Sequence, residues 1–164
     1  MYDFIRYSSP LGTLTAAAEG DALTALVIQG QKYEALHLQG EGREIETPVL
    51  RQARQWLDAY FSGEKPAADA LPLSPRGTDF QKQVWQALLT IPYGKTSTYG
   101  ELAAKLGSSP RAVGAAVGRN PISILIPCHR VLGGDGSLCG YAGGLENKKK
   151  LLGLEGALSG KETH

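Results

Sequence analysis

Short apolar runs separated by turn residues fill the first 28 positions of the chain. The runs cover residues 2–7, 14–18 and 23–28, and the intervening segments are rich in Ser, Gly, Pro and Asp. Runs of this length between turn-forming residues are typical of β-strands. The pattern therefore predicts an antiparallel meander of three strands. Residues 29–47 are polar and contain glycines, and they predict no further element.

The next pattern is helical. Apolar residues recur at three- and four-residue spacing over residues 48–61, with Pro48 at the start and Ser62-Gly63 at the end. This spacing predicts an amphipathic helix that Pro48 begins and Gly63 ends. Residues 65–75 contain three prolines and are interpreted as a linker. The expected domains are 1–75, a supporting domain that includes the linker at about 64–75, and 76–164.

Helix signals dominate the second half of the chain. Thr78 and Gln81 fit a capping box for a helix that runs to about Ile91, and Thr98 and Glu101 fit a second box for residues 99–106. A third helix, from Arg111 to about Gly118, is predicted after a Ser109 cap and Pro110. The last two helices, joined by a turn containing Gly107, form a helix-turn-helix. A final helix is predicted for residues 145–154, with Lys148, Lys149 and Lys150 on its open face.

The second helix of this motif is unusual because small residues occupy nearly every face. Its sequence between Arg111 and Arg119 contains only Ala, Val and Gly. A helix reduced to Ala and Gly fits a widened minor groove, where it meets few base-specific groups. Tight packing inside the protein core is the alternative interpretation. In the groove interpretation, Arg111 is the one long side chain at the helix entrance.

The candidate chemistry lies at residues 124–131, where an apolar run ends at Pro127 and Cys128, His129 and Arg130 follow. The run predicts a buried strand over residues 124–126 that mounts Cys128 at a turn. A thiolate forms beside basic or cationic groups, and His129 and Arg130 are such groups by type. Together with Glu155 these residues have the types of a nucleophile, a base and an orienting acid. A small core cysteine is the alternative.

Composition and charge narrow the possible partners. The 164 residues are 42% hydrophobic, which supports a real core, and no apolar run is long enough to cross a bilayer. Residues 1–79 carry 7 basic and 11 acidic residues, whereas residues 80–164 carry 10 basic and 5 acidic residues. The basic second half suggests a polyanionic partner. The chain has two cysteines, their spacing is not that of a zinc site, and the N-terminus does not read as a signal peptide. These features predict a protein of the reducing cytoplasm, in which Cys139 is a spare, partly buried thiol.

These motifs, taken together, resemble a known family. The sequence Pro-Cys-His-Arg-Val at 127–131 follows Arg-Ala-Val-Gly-Ala-Ala at 111–116 and Asn-Pro at 120–121, and precedes Gly-Tyr-Ala-Gly-Gly at 140–144 and Glu-Gly at 155–156. In this order they resemble the O6-alkylguanine-DNA alkyltransferases. The resemblance is strong over residues 75–156 and weaker over 1–75. It implies an α+β fold, with a ribonuclease-H-like N-terminal domain built on an antiparallel sheet and a mostly helical C-terminal domain with the helix-turn-helix.

The resemblance also implies a reaction. Cys128 would accept the alkyl group from O6-alkylguanine, and also from O4-alkylthymine, irreversibly and once per protein. His129 would take the thiol proton through a water, and Glu155 would hold the imidazole. Asn120 would brace the turn before the active site. Tyr99 would help to rotate the nucleotide out of the duplex and would donate to guanine N3.

Further residues are implied to contact DNA and the extruded base. Arg111 would replace the base in the duplex, and the face containing Ala112, Gly114 and Ala115 would lie against DNA. Tyr141 would form one wall of the base pocket, which also includes Ala142, Gly143 and Val131. The carbonyls of Cys128 and Val131 would accept from the guanine amino group, and the amide of Ala142 would donate to O6. The expected partner is duplex DNA containing O6-alkylguanine, bound by a monomer with or without cooperativity along the DNA, and no metal, cofactor or membrane is expected.

Three departures from the family pattern accompany the resemblance. The spacing from Tyr99 to Arg111 is about two residues shorter than usual, Pro110 replaces a usual alanine, and Leu151 stands where many members have Trp. Two other functions stay open at this stage. One is a non-catalytic alkyltransferase-like protein that binds lesions, which Cys128 argues against. The other is a Cys-His-Glu hydrolase, which would leave the helix-turn-helix without a role.

Overall fold

The computed structural model of the protein describes residues 1–157, which form two units. Residues Met1–Arg76 form the first unit together with Pro121–Leu125. Gly77–Asn120 and the described residues from Ile126 onward form the second unit. The chain thus returns to the first unit for five residues, which end two residues before the Cys-His-Arg sequence. No helix in the described part of the chain is both long and apolar enough to span a membrane.

The first unit is built on a four-stranded sheet. Its elements in chain order are β1 (Tyr2–Ser9), β2 (Gly12–Glu19), β3 (Ala22–Ile28), α1 (Glu34–His37), β4 (Gly42–Glu44) and α2 (Pro48–Phe61). The strand order is β3-β2-β1-β4. The predicted meander of β1, β2 and β3 is confirmed. The sheet is mixed rather than antiparallel throughout, because β4 pairs with β1 in parallel. The three residues of β4 are all exposed, so no apolar pattern marked this strand.

The predicted helix α2 is confirmed, and it packs against β1 and β2. Its apolar residues are buried because they share one face of the helix. The Tyr7 hydroxyl donates to Asp58 Oδ1 at 2.6 Å and joins the sheet to the helix. Burial, followed by this hydrogen bond and the Asp58 charge, raises the pKa of Tyr7 to about 12. The proline-rich segment after α2 lies along β3, where Leu23 donates to Pro72 and accepts from Ser74.

The second unit is mostly helical. It contains α3 (Asp79–Leu88), β5 (Ser97–Thr98), α4 (Tyr99–Leu106), α5 (Pro110–Gly118), β6 (Val131–Leu132) and α6 (Leu145–Leu154). Thr78 and Gln81 form the predicted capping box, although α3 ends three residues before Ile91. Ser109 caps α5, and Gly107 ends α4 in a left-handed conformation, as expected for a helix-turn-helix.

The expected strand at residues 124–126 is wrong. Residues 123–125 form turns, and Ile124 has a φ of 73°. Ile122 bridges Leu26 of β3, and the Ser123 amide donates to the Leu26 carbonyl. This segment is apolar because it is buried in the first unit, and burial alone does not distinguish a strand from a buried turn.

Candidate active site

Cys128 lies on a short turn of 3₁₀ helix, Cys128–Arg130, rather than at the end of a strand. The Cys128 side chain is buried, with 4% exposure. In a helical turn, successive side chains no longer alternate between opposite faces. Cys128 and His129 are therefore not held on opposite faces, as they would be on the strand expected before them.

The Asn120 side chain is hydrogen-bonded to the backbone just before this turn. Its Nδ2 donates to the carbonyl of Ile126 at 2.8 Å, and the Cys128 amide donates to the same carbonyl at 2.8 Å. The Asn120 side chain also forms a hydrogen bond with Cys128 that favours the thiolate. One buried amide thus fixes both the backbone beside the nucleophile and the environment of its sulfur.

His129 and Glu155 form a buried pair. Nε2 of His129 lies 2.7 Å from Oε2 of Glu155, and both side chains have 0% exposure. Arg130 donates to the same carboxylate, from Nε to Oε1 at 2.7 Å and from Nη2 to Oε2 at 3.1 Å. Arg130 also donates from Nη1 to the Ile91 carbonyl at 2.7 Å. Arg130, a cation beside Cys128 in the sequence, thus has its guanidinium engaged with Glu155.

The protonation of His129 follows from these contacts. A carboxylate that accepts two hydrogen bonds from a guanidinium is ionised and needs a donor at its remaining position. Nε2 of His129 therefore carries the proton and donates to Glu155. Burial lowers the pKa of His129, against the hydrogen bond and charge of Glu155, so the ring is neutral. Its Nδ1, which has no partner among residues 1–157, is then the basic nitrogen.

Two sets of interactions shift the pKa of the Cys128 thiol in opposite directions. Burial raises its pKa, because a thiolate loses hydration in the interior. The hydrogen bond from Asn120 and the positive charge of Lys148 act in the opposite direction. The Cys128 sulfur is thus shielded from water, and its ionisation is favoured by the Asn120 hydrogen bond and the Lys148 charge.

Lys148 was predicted on the open face of α6, but it is completely buried. Its Nζ donates to the carbonyls of Val131, Cys139 and Gly140. The signal in the sequence was its position three and four residues before the buried Leu151 and Leu152. Leu145, an apolar residue of the same helix, is 51% exposed.

Tyr99 reaches the same region from the start of α4. Strand β5 pairs with β6, and this pairing places Thr98 beside Leu132. Leu132 lies just after the turn Cys128–Arg130, which carries the candidate nucleophile and is called the nucleophile turn. The Tyr99 hydroxyl donates to the Cys139 carbonyl at 3.3 Å. Burial raises the pKa of Tyr99 to about 12, with smaller contributions from Cys139 and Cys128. The phenol is therefore a stable proton donor at neutral pH.

The glycine-rich segment before α6 is held in a turn. The Gly144 amide donates to the Tyr141 carbonyl at 2.9 Å, and Asn147 Nδ2 donates to the Gly143 carbonyl at 2.9 Å. Tyr141, Ala142 and Gly143 are half-buried.

Cys139 is exposed rather than partly buried as expected. Among residues 1–157, no cluster of three or more His, Cys, Asp and Glu side chains is arranged to hold a metal ion.

Helix α5 presents two different faces. Val113, Ala116 and Val117 are buried, whereas Arg111 and Ala115 are exposed and Ala112 and Gly114 are half-buried. A Cβ placed at Gly114 would meet only the Tyr99 ring, at 3.7 Å, and a Cβ at Gly118 would meet nothing within 4 Å. Core packing therefore does not require these two glycines, and the small-residue face is open.

Comparisons with known proteins agree with this geometry. Two family models match: the ribonuclease-like domain of 6-O-methylguanine DNA methyltransferase over residues 4–75, and its DNA-binding domain over residues 79–157. Proteins named methylated-DNA–protein-cysteine methyltransferase are similar in sequence. The one from Mycobacterium tuberculosis is 47% identical, covering 94% of this chain and 93% of its own. The one from Haemophilus influenzae is 46% identical, covering 91% of this chain and 83% of its own.

A solved structure is similar over the same extent. It is the crystal structure of Mycobacterium tuberculosis OGT in complex with DNA, with a TM-score of 0.84, 44% identity, and coverage of 94% of this chain and 93% of the other. Both family models, which together cover most of the described residues, and these relatives lead to one conclusion: the chain belongs to the 6-O-methylguanine DNA methyltransferase family.

Proposed function

We propose that this protein repairs DNA by transferring the alkyl group of O6-alkylguanine irreversibly to Cys128, with O4-alkylthymine as a second substrate. The observation that carries this proposal is the buried Cys128 turn beside the His129–Glu155 pair, in the same unit as a helix with an open small-residue face. Family membership supports the same reaction. Residues 76–164 would bind DNA and carry out the transfer, residues 1–75 would support them, and the free thiols fit a reducing, cytoplasmic setting.

The transfer begins with the thiol proton. Through a bridging water, Nδ1 of His129 takes this proton, and Glu155 stabilises the charged ring that forms. The Cys128 thiolate then attacks the alkyl carbon. The new S–C bond forms as the C–O6 bond breaks, and the electron pair of that bond passes to O6 of guanine. The product is an S-alkylcysteine, so the protein reacts once.

The leaving guanine needs a proton or a donor as charge develops on it. Tyr99 is suited to donate to N3 because its phenol stays protonated. The guanine anion becomes neutral by taking up one proton at N1, which balances the proton lost by the Cys128 thiol. The Cys128 and Val131 carbonyls and the Ala142 amide would contact the guanine edge, and Tyr141 and Gly143 would line the pocket.

The reaction requires the base to leave the duplex, because O6 is not accessible to a buried thiol while the base is stacked. The open face of α5, with Ala112, Gly114 and Ala115, would lie against the groove. Arg111 is exposed at the first turn of this helix, where it is suited to fill the space left by the base. The non-catalytic alternative is not favoured, since Cys128 supplies the nucleophile that a lesion-binding protein lacks.

Transfer can be tested with a duplex oligonucleotide that contains one O6-methylguanine. The peptide containing Cys128 should gain the mass of one methyl group in place of hydrogen, with at most one transfer per protein and none from the unmodified duplex. Cys128→Ser should bind the duplex and transfer nothing. Absence of the mass gain under conditions of complete duplex binding would leave only the lesion-binding function.

A further inference from the structure

Residues 91–94, between α3 and β5, contact the Arg130 side chain at two points. Arg130 donates from Nη1 to the Ile91 carbonyl at 2.7 Å, and its guanidinium carbon lies 5.7 Å from the centroid of the Tyr93 ring. That distance is within the range of about 6 Å in which a cation and an aromatic face attract each other. One short segment therefore holds the guanidinium through both a carbonyl and a ring.

The same segment contacts the end of α6. The Tyr93 hydroxyl donates to the Leu154 carbonyl at 3.4 Å. Gly94 has a φ of 79°, and a Cβ placed on it would lie 3.1 Å from the Glu155 carbonyl oxygen. Glycine suits this position because the φ is left-handed and the two backbones approach closely. The segment thus contacts both members of the Arg130–Glu155 ion pair.

The ion pair lies close to the protein surface on the side of Tyr93. The Glu155 side chain is 0% exposed, whereas the Arg130 side chain is 11% exposed and Tyr93 is half-buried. An ion pair weakens where water can reach it, because water screens the two charges. The Tyr93 ring lies against the guanidinium and is itself partly exposed, so it separates the pair from solvent on this side.

The charged groups that act on His129 are few, and they are Glu155, Arg130 and Lys148. Helices α3 and α6 both pack against the nucleophile turn. Their other charged side chains are exposed or half-buried: Asp79, Lys82, Glu146, Lys149 and Lys150. Burial and the Arg130 charge lower the pKa of His129, whereas Glu155 raises it. A change that admits water and moves Arg130 away would therefore raise the pKa of His129.

We propose that Tyr93 is a positioning residue for the transfer: its ring holds the Arg130 guanidinium in place and excludes water from the Glu155 carboxylate. That carboxylate in turn orients His129. The hydroxyl contributes little, because its contact with the Leu154 carbonyl is long. The part of Tyr93 in the reaction rests on the proposed function, in which His129 is the base. The link between Tyr93 and His129 is a property of the free protein and is testable without DNA.

The first measurement is the titration of the His129 ring in the free protein, followed by nuclear magnetic resonance. The chain contains three histidines, and the His129 signal is the one missing from His129→Gln. In Tyr93→Ala, water reaches the ion pair and the guanidinium loses the ring that holds it. The titration midpoint of His129 should therefore rise by about 0.5–1 pH unit, because part of its desolvation is removed.

The second measurement is the single-turnover rate of methyl transfer from the O6-methylguanine duplex, between about pH 5.5 and about pH 8.5. His129 acts as a base only when it is neutral, so the acid limb of the rate profile should move up with its titration midpoint. Tyr93→Ala should be about three- to tenfold slower than the wild type at the acid end and equal to it at the alkaline end. A uniform loss of rate at every pH, with the wild-type His129 midpoint, would show a purely structural role and overturn the proposal.

Two variants serve as controls. Tyr93→Phe keeps the ring and loses only the hydroxyl, so it should retain the wild-type midpoint and rate profile. Phe80→Ala removes a half-buried ring elsewhere in the same unit and should leave the His129 midpoint unchanged. A shift in Tyr93→Phe equal to that in Tyr93→Ala would assign the effect to the hydroxyl and overturn the role of the ring. An equal shift in Phe80→Ala would show a general loosening of the fold and would also overturn it.

Tyr93→Leu takes the place of Tyr93→Ala if the alanine variant does not fold. Leucine keeps most of the apolar volume but has no flat face for a guanidinium, so the His129 midpoint should move in the same direction. An unchanged midpoint in a folded Tyr93→Leu protein would overturn the proposal. If the midpoint shifts as expected but the wild type transfers no methyl groups from DNA, the proposed function fails while the link between Tyr93 and His129 stands.

Discussion

Nε2 of His129 lies 2.7 Å from Oε2 of Glu155, and neither side chain is exposed to solvent. Glu155 follows α6 directly, whereas His129 belongs to the nucleophile turn, so the pair connects two segments 26 residues apart. Arg130 completes the arrangement by binding the same carboxylate through two nitrogens. The orientation of His129, the proposed base, therefore depends on a carboxylate that the adjacent Arg130 holds in place.

Glu155→Gln should impair both stability and transfer. The neutral amide leaves the Arg130 guanidinium buried without a counter-charge, and breaking a buried ion pair in this way costs about 3–5 kcal/mol. The amide also offers an N–H to His129, which favours the tautomer with a proton on Nδ1 and blocks its action as a base. General-base catalysis contributes about 10²–10⁴-fold, so the single-turnover rate should fall by at least about 100-fold.

Glu146→Gln is the control for this substitution. Glu146 is exposed in the first turn of α6, so denaturant unfolding and the transfer rate should stay close to the wild type. Transfer by Glu155→Gln at a rate within twofold of the wild type, in a protein that remains folded, would contradict the role given to the pair.

Acid should destabilise the protein through His129. Burial lowers the pKa of His129 below its ordinary value of 6.5, so the unfolded chain binds a proton at a pH where the folded protein does not. Because the unfolded chain binds more protons than the folded protein, stability falls as the pH falls. It is unaffected well above pH 6.5 and declines from pH 6.5 towards the folded pKa of His129. Each pH unit by which the folded pKa of His129 lies below its ordinary value contributes about 1.4 kcal/mol to this loss of stability.

The measurement is urea unfolding at several pH values between 8 and 5, for the wild type and His129→Gln. The variant removes the titrating group, so the difference in slope isolates His129 from His37 and the carboxylates. We expect the wild type to lose more stability than His129→Gln over this range. Parallel pH curves would mean that His129 is protonated equally in the folded and unfolded states.

Local signals in the sequence were sufficient for most elements. Helix starts followed the capping residues Thr78 and Ser109, and Gly107 ended α4, because caps act within one turn of the chain. Residue type alone singled out Cys128, His129 and Glu155 as a candidate set, whereas their separate roles, and those of Tyr99, Asn120 and Tyr141, came from the family resemblance. The distance between His129 and Glu155 depends on how the nucleophile turn and α6 pack together, which no local pattern encodes.

The two wrong predictions, for Ile124 and Lys148, have a common cause. The apolar run containing Ile124 was interpreted as a strand, and Lys148 was placed on an open face, because residue type was taken as a guide to environment. Ile124 is buried in a turn, and Lys148 is buried because three carbonyls replace its hydration. Both positions are decided by long-range contacts, which outweigh local preference.

Gly114→Ala should stabilise the protein while weakening its binding to duplex DNA. The added methyl group meets only the Tyr99 ring, at an ordinary contact distance, and alanine is favoured over glycine inside a helix by about 0.5–1 kcal/mol. Against DNA the same methyl group enters a close contact, where overpacking costs about 1–3 kcal/mol. Affinity, measured by fluorescence anisotropy at fixed salt, should fall by about tenfold or more.

Gly153→Ala is the matched control for this helix. Gly153 is exposed within α6, and a Cβ there meets nothing within 4 Å. It should raise stability to a similar extent and leave the affinity for DNA unchanged. Equal affinity in Gly114→Ala and the wild type would show that the open face of α5 does not lie against the duplex.

Arg111→Ala should separate extrusion of the base from the chemical step. Arg111 is exposed at the start of α5 and lies outside the hydrogen-bonded groups around Cys128, so its loss leaves the nucleophile intact. Unstacking a base costs a few kcal/mol. A side chain that fills the space left by the base offsets part of this cost. Transfer from a duplex should therefore slow by about tenfold or more, whereas reaction with free O6-benzylguanine should stay within about twofold of the wild type.

Lys105→Ala is the control, because it removes one exposed positive charge from α4. It measures the general loss of attraction to phosphates, and raised salt should have the same effect on the wild type. Equal losses on the duplex and on the free base would assign Arg111 to the active site itself rather than to the space left by the base.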